Sequence, residues 1–387
     1  MQQGSPEQSQ QHQPGLRKRI YFLSGFDPRG SSFYYRLFVE QLKAYGERTG
    51  RRLKVGRRRG QADPLFSSWH VEEGPATVLE VVFLHWDDIV REHWPRNPLV
   101  IAWQGFRFAL WYVVRGGLIR IARMCPSVAL CGFYPLLFFG FFGLLLLALG
   151  LLLRAGLTVL IGPWAAAALA LLAVLALVPA CWQLADQQGV VWLFRSILFT
   201  HRLGQARDGA LRPRLIELAQ RILAIEQASP AASVQLVGHS SGSFVMAMLA
   251  AELRRQPGFE AELAPRFSLL SLGQNLANLA VHKGAAAFHN DLRTLAMVPR
   301  LPWRDITSRD DYLCFAGVDP YRSCRIPAEP PAYPQLQLIQ LAQRLGLHSW
   351  GALITNQFPL HFEYLHTAPP ERQGGFDYFE ELLGERS

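Results

Sequence analysis

The chain has 387 residues, enough for one large α/β domain or two smaller ones, and half of them are apolar. That share is high for a soluble protein, and the excess is concentrated in two stretches rather than spread. The formal net charge of +9 would suit a nucleic-acid surface, but no nucleic-acid-binding motif accompanies it. The basic clusters Arg17-Lys18-Arg19, Arg51-Arg52-Leu53-Lys54 and Arg57-Arg58-Arg59 are read instead as attraction to anionic lipid headgroups. Five cysteines form no C-x-x-C pair, so they are expected to be reduced and structural.

Residues 1–16 read as a polar, Gln-rich, disordered tail without the apolar core of a secretory signal. A strand is predicted over 18–24 (KRIYFLS), a helix over 32–49 and a second strand near 52–58. Residues 60–76 read as a loop or irregular hairpin. The run 77–85 (TVLEVVFLH), rich in β-branched and aromatic residues, predicts a buried strand.

A membrane insertion is expected over 87–205. Residues 127–153 and 157–182 carry no charge, and each exceeds the roughly 20 apolar residues that cross a bilayer. Only Arg154-Ala155-Gly156 separates them, which predicts a tight hairpin of two transmembrane helices. Pro135, Gly162-Pro163 and Pro179 are expected to kink or end helices. Arg107, Arg115, Arg120 and Arg123 precede the pair, and Arg195, Arg202 and Arg207 follow it. This charge bias predicts soluble parts on the cytoplasmic side, and the chain is expected to be an integral protein of a bacterial inner membrane. The flanks 99–122 and 190–203 mix aromatic residues with arginine, as amphipathic interface helices or helix ends do.

The soluble pattern resumes with a helix at 211–227, a strand at 233–238, a helix at 241–255 and a strand at 266–272. A less regular C-terminal third follows. Alternating strands and helices predict an α/β fold with a mostly parallel sheet.

At 238–242 (GHSSG) the chain fits G-x-S-x-G in one register, with Ser240 at its centre. A serine on a sharp strand-to-helix turn holds its hydroxyl above the sheet edge. The flanking glycines remove side chains that would clash there. The helix that follows starts with free N–H groups, so that of Ser241 can face a developing oxyanion.

In this stretch the chain resembles the α/β-hydrolase superfamily, over 17–86 and 206–387, with the membrane insertion outside the resemblance. The resemblance implies a serine nucleophile, then an acid, then a histidine in chain order, and an oxyanion loop after an early strand. Ser24-Gly25-Phe26-Asp27-Pro28-Arg29-Gly30 matches that loop in position and glycine content, though it is not the HGGG form of many lipases. The second oxyanion donor then falls to the N–H of Phe26, with Asp27 next in line. For the histidine, His361 in FPLHFEYLH stands before a helix-like segment, as family histidines often do. His348 is the alternative, and His366 would turn away on a helix.

The acid comes from Asp305, Asp310, Asp311 or Asp319. Asp311 is favoured if 303–307 is a strand, and Asp319 if 312–316 is.

These assignments imply a serine hydrolase acting on an acyl ester or thioester at a lipid bilayer, needing no cofactor or metal. The rival reading is a catalytically silent membrane scaffold of the same fold. The insertion leaves the sheet at the carboxyl end of a strand, the edge where ligands bind in such sheets. It is therefore expected either to cap Ser240 or only to tether the domain.

Overall fold

The structure, a computed structural model, describes residues 16–207, 209–328, 334–368 and 375–384. Nearly all of the expected tail lies outside the described residues. Strand β1 (Lys18–Leu23) is buried along its whole length, as its run of aromatic and branched side chains requires of a central strand. Helix α1 (Ser31–Thr49) leads to β2 (Leu53–Val55), β3 (Phe66–Glu73) and β4 (Ala76–Leu84). Later come β5 (Ser233–His239), β6 (Phe267–Leu272), β7 (Trp303–Ser308) and β8 (Gln335–Ile339).

These strands form one mixed sheet in the order β2-β3-β4-β1-β5-β6-β7-β8. The pairings β2–β3 and β3–β4 are antiparallel, and every pairing from β4 to β8 is parallel. In register, Phe22 opposes Phe83, Leu23 opposes Gly238 and His239 opposes Leu272. The carboxyl ends of β4, β1, β5 and β6 therefore share one edge.

Successive residues of a strand point to opposite faces, and both faces here are apolar. Tyr21, Leu23 and Leu236 pack with Phe244, Met246 and Leu292 on one side. On the other, Ile20, Phe22 and Val237 pack with Phe38, Leu42 and Phe379.

After β4 the chain runs through α2 (Asp87–Glu92), α3 (Pro98–Val114), α4 (Gly117–Met124), α5 (Pro126–Ile161), α6 (Pro163–Gln187) and α7 (Val190–Leu203). Helices α5 and α6 pack against each other. Both are long and apolar enough to cross a membrane, and their side chains face outward rather than into a core. This points to a membrane association. Where α4 gives way to α5, Ile121, Cys125 and Ala129 pack against Ala277, Phe315 and Val318 of the α/β part. Beyond α7 lie α8 (Leu211–Ala228) and α9 (Gly242–Arg255). The chain then adds α10 (Leu276–Ala280), α11 (Ala286–Ala296), α12 (Pro320–Ser323), α13 (Leu341–Arg344), α14 (Trp350–Thr355), α15 (Gln357–Phe362) and α16 (Tyr378–Leu383).

Three expectations are corrected. Residues 66–73 form a true strand, held between β2 and β4, where a loop or irregular hairpin was expected. The turn between the apolar helices is at Gly162-Pro163, not at 154–156. Arg154 stays helical, while Gly162 adopts φ 82° and Pro163 opens the next helix. Gly162-Pro163 thus ends a helix as expected, while Pro135 and Pro179 lie inside α5 and α6. In the C-terminal third, 312–316 is a turn, and an edge strand forms at β8 instead.

Candidate active site

Strand β5 runs straight into α9 through Ser240, whose φ of 57° is left-handed. Such a conformation in a residue with a side chain costs about 1–3 kcal/mol and persists only where the surroundings enforce it. The enforcement is local. The Ser240 N–H donates to the Leu272 carbonyl at 2.8 Å, and the Ser240 carbonyl accepts from the Ser243 N–H at 3.0 Å and its hydroxyl at 2.6 Å. Both glycines of the motif are steric necessities. A Cβ on Gly238 would lie 2.5 Å from the Gly242 carbonyl oxygen, and one on Gly242 would lie 2.4 Å from that of Leu23.

The loop after β1 crosses directly above. A Cβ on Gly25 would stand 2.9 Å from Ser240 Cβ and 3.3 Å from its Oγ. Phe26 is fully buried and stacks on Phe199 of α7 with ring centroids 4.8 Å apart. Among the described residues, neither the Phe26 nor the Ser241 N–H donates a hydrogen bond. Both expected oxyanion donors are therefore uncommitted.

Asp311 follows β7 and His361 stands on α15, and they meet. His361 Nδ1–H donates to Asp311 Oδ2 at 2.7 Å, with both side chains buried. Asp311 Oδ2 also accepts from the Tyr364 hydroxyl at 3.1 Å, and its Oδ1 accepts from the Leu313 N–H at 2.9 Å. Gln357 ties α15 to the Asp311 loop, accepting from the Tyr312 N–H at 2.6 Å and donating to the Asp310 carbonyl at 3.0 Å. Behind His361, His239 Nε2–H donates to its carbonyl at 2.8 Å. Burial, and then the neighbouring His361, push the His239 pKa down to about 3, so His239 is a neutral strut.

With Nδ1 committed to Asp311, the His361 Nε2 is left buried without a partner. Ser240 and His361 both abut the end of β6. Ser240 bonds Leu272, and a Cβ on Gly273 would stand 3.1 Å from His361 Cε1. The Ser240 hydroxyl itself has no hydrogen bond to His361 among the described residues.

The other candidates have different roles. Asp319 Oδ1 caps α12, accepting from the Tyr321 N–H at 2.8 Å. Asp310 Oδ2 accepts from the Ala342 N–H at 3.0 Å, and Asp305 is buried against the Ser271 hydroxyl. His348 is exposed, and His366 pairs with Glu363 at 2.8 Å.

Ser240 and Ser241 open into a cavity of about 80 Å³, several times the space one water needs. Its walls are mostly apolar and come from α3, α4, α5 and α7, including Phe108, Ile121, Gly132 and Trp192. Neither His361 nor Asp311 lines this cavity. Ser240 is 5% exposed, and that exposure faces the cavity.

Tyr364 and Gln357 were not among the residues expected at this site. Their spacing from His361, three residues after and four before, puts all three on one side of a helical turn. That spacing was the available signal. Asn275 and Asn278, which also line the cavity, had none.

Chemically, the arrangement offers a hydroxyl on a strained bend, a buried carboxylate-oriented imidazole and two free N–H donors. No family model matches the chain, and no curated protein or solved structure does either.

Proposed function

We propose that this chain is a membrane-anchored serine hydrolase of the α/β-hydrolase superfamily, cleaving an ester or thioester that carries an acyl chain. The observation that carries the reading is the Asp311–His361 pair at 2.7 Å, seated against the same β6 end as the left-handed Ser240. In this mechanism His361 Nε2 takes the Ser240 proton as Oγ attacks the substrate carbonyl. The N–H groups of Phe26 and Ser241 hold the oxyanion. Collapse expels the alcohol or thiol, protonated by His361. Water, deprotonated by the same nitrogen, then cleaves the acyl-enzyme and restores Ser240. Asp311 keeps the imidazole in the Nδ1–H tautomer, and Tyr364 and Gln357 hold that pair in place. No cofactor enters these steps.

In this reading α5 and α6 anchor the chain in the bilayer, with the α/β part on the cytoplasmic side. The helices flanking them form an apolar cap through which acyl chains reach Ser240.

One observation favours the silent scaffold instead: Ser240 and His361 are not hydrogen-bonded to each other. Catalytic hydrogen bonds are often long before substrate binds, so this alone does not decide. Treating detergent-purified protein with a fluorophosphonate probe does. Labelling of the wild type that vanishes in Ser240→Ala and falls in His361→Ala is expected. A folded wild type that takes no label would leave the scaffold.

A further inference from the structure

Beside the Ser240 cavity lies a second one, of about 240 Å³, whose chemistry is opposite. Gln104 and Arg107 of α3, His201 and Arg202 of α7, and Gln205 and Arg207 just beyond it form its polar wall. Arg202 donates to Gln104 Oε1 at 3.0 Å. Among the described residues, none that lines this cavity is acidic, and none of the three arginines has an ion pair.

Several arginines of the α/β part have acidic partners instead. Arg19 meets Glu226 at 2.7 Å, Arg212 meets Asp291 at 2.8 Å and Arg214 meets Asp88 at 2.7 Å. His201 registers the imbalance: burial, then Arg207 and Arg202, push its pKa down to about 4. Three guanidinium groups without an ion pair among the described residues line one concavity, which favours a tetrahedral oxyanion, bound by arginine through several charge-assisted hydrogen bonds.

The two cavities share a wall. Phe108 lines both, and its ring stands 5.0 Å from that of His201. The His201 ring in turn lies 5.6 Å from that of His282, which lines the Ser240 cavity. One layer of side chains thus separates a cationic socket from an apolar one.

We propose that the arginine cavity binds the phosphate of an amphiphile whose apolar chain occupies the Ser240 cavity, a substrate assignment that rests on the hydrolase reading above. The phosphate site itself does not need Ser240 to react.

The test is a tryptophan-fluorescence titration of the full chain in neutral detergent. The probes are dihexanoyl phosphatidic acid, dihexanoylglycerol and inorganic phosphate. Phosphatidic acid should bind saturably and at least about tenfold tighter than dihexanoylglycerol. The combined variant Arg107→Gln, Arg202→Gln, Arg207→Gln should lose that preference. The same three positions changed to lysine should keep most of it, which separates charge from misfolding.

Ser240→Ala should bind as wild type does, so a failed fluorophosphonate experiment would leave this result standing. Inorganic phosphate binding as tightly as phosphatidic acid would assign the site to free phosphate and overturn the amphiphile. Equal affinity for dihexanoylglycerol, or unchanged affinity in the glutamine variant, would overturn the site.

Discussion

Four aspartates crowd residues 305–319, and their surroundings divide them. Asp319 and Asp310 accept backbone N–H groups at turn and helix starts, which is ordinary structural work. Asp311 faces an imidazole and a phenol. Asp305 faces only the Ser271 hydroxyl, its Oδ2 has no partner, and burial pushes its pKa up to about 8.

A carboxyl kept neutral in the fold but free to ionise when unfolded lowers stability as pH rises from its ordinary value to its raised one. Below pH 4 both states are protonated and there is no penalty. Between 4 and 8 only the unfolded state ionises and stability falls. Above 8 the penalty is constant. Asp305→Asn should therefore gain about 1–3 kcal/mol of unfolding free energy at pH 7 and nothing at pH 4. Denaturant unfolding at the two pH values checks this, and an equal effect at both would refute it.

Ser240 was legible at this scale because a strand, two glycines and a small-residue helix surround it. The acid was not. Asp311 and Asp319 each follow a candidate strand, 303–307 or 312–316, and only the fold shows which one meets His361.

Among the elements, the legible ones were those whose burial is written as an apolar run, such as β1, β4, β5 and α9. Strand β3 (FSSWHVEE) interleaves Ser67, Ser68 and His70 with its apolar residues, and its pairing with β2 and β4 decides it. Edge strand β8 exposes Leu336 and Leu338, so alternation gives little signal there. The end of α5 was misplaced because one arginine in a long helix does not break it, whereas a left-handed glycine before proline does.

Gly105 of α3 meets Phe194 of α7 so closely that a Cβ there would fall 1.8 Å from the ring. Gly105→Leu must part the two helices, and Phe108, nearly one turn further on, would move with α3. Under the proposed function, kcat/KM for long-chain esters should drop at least about tenfold, while fluorophosphonate labelling of Ser240 persists. Unchanged long-chain turnover would show that the α3–α7 contact does not shape the cap.

For the molecule as a whole, the decisive quantity is where the apolar surface faces. Leu144 is 69% exposed, Leu152 72%, Val159 89% and Trp164 88%, all along α5, α6 or their junction. Monomeric soluble proteins rarely leave a patch of more than a few hundred Å² uncovered, and two adjacent helices of 36 and 25 residues expose far more than that. Burying them in hydrocarbon gains about 25 cal/mol for each Å² removed from water, which no ionic attraction at the arginine-rich flanks could match. The two contributions respond to different treatments. High salt and alkaline carbonate strip charge-held proteins from membranes, because they screen or neutralise the attraction, but they leave the hydrophobic contribution intact. After both washes the chain should stay in the membrane pellet, and detergent alone should release it. Recovery of folded protein in the carbonate supernatant would mean that α5 and α6 are covered by something other than lipid.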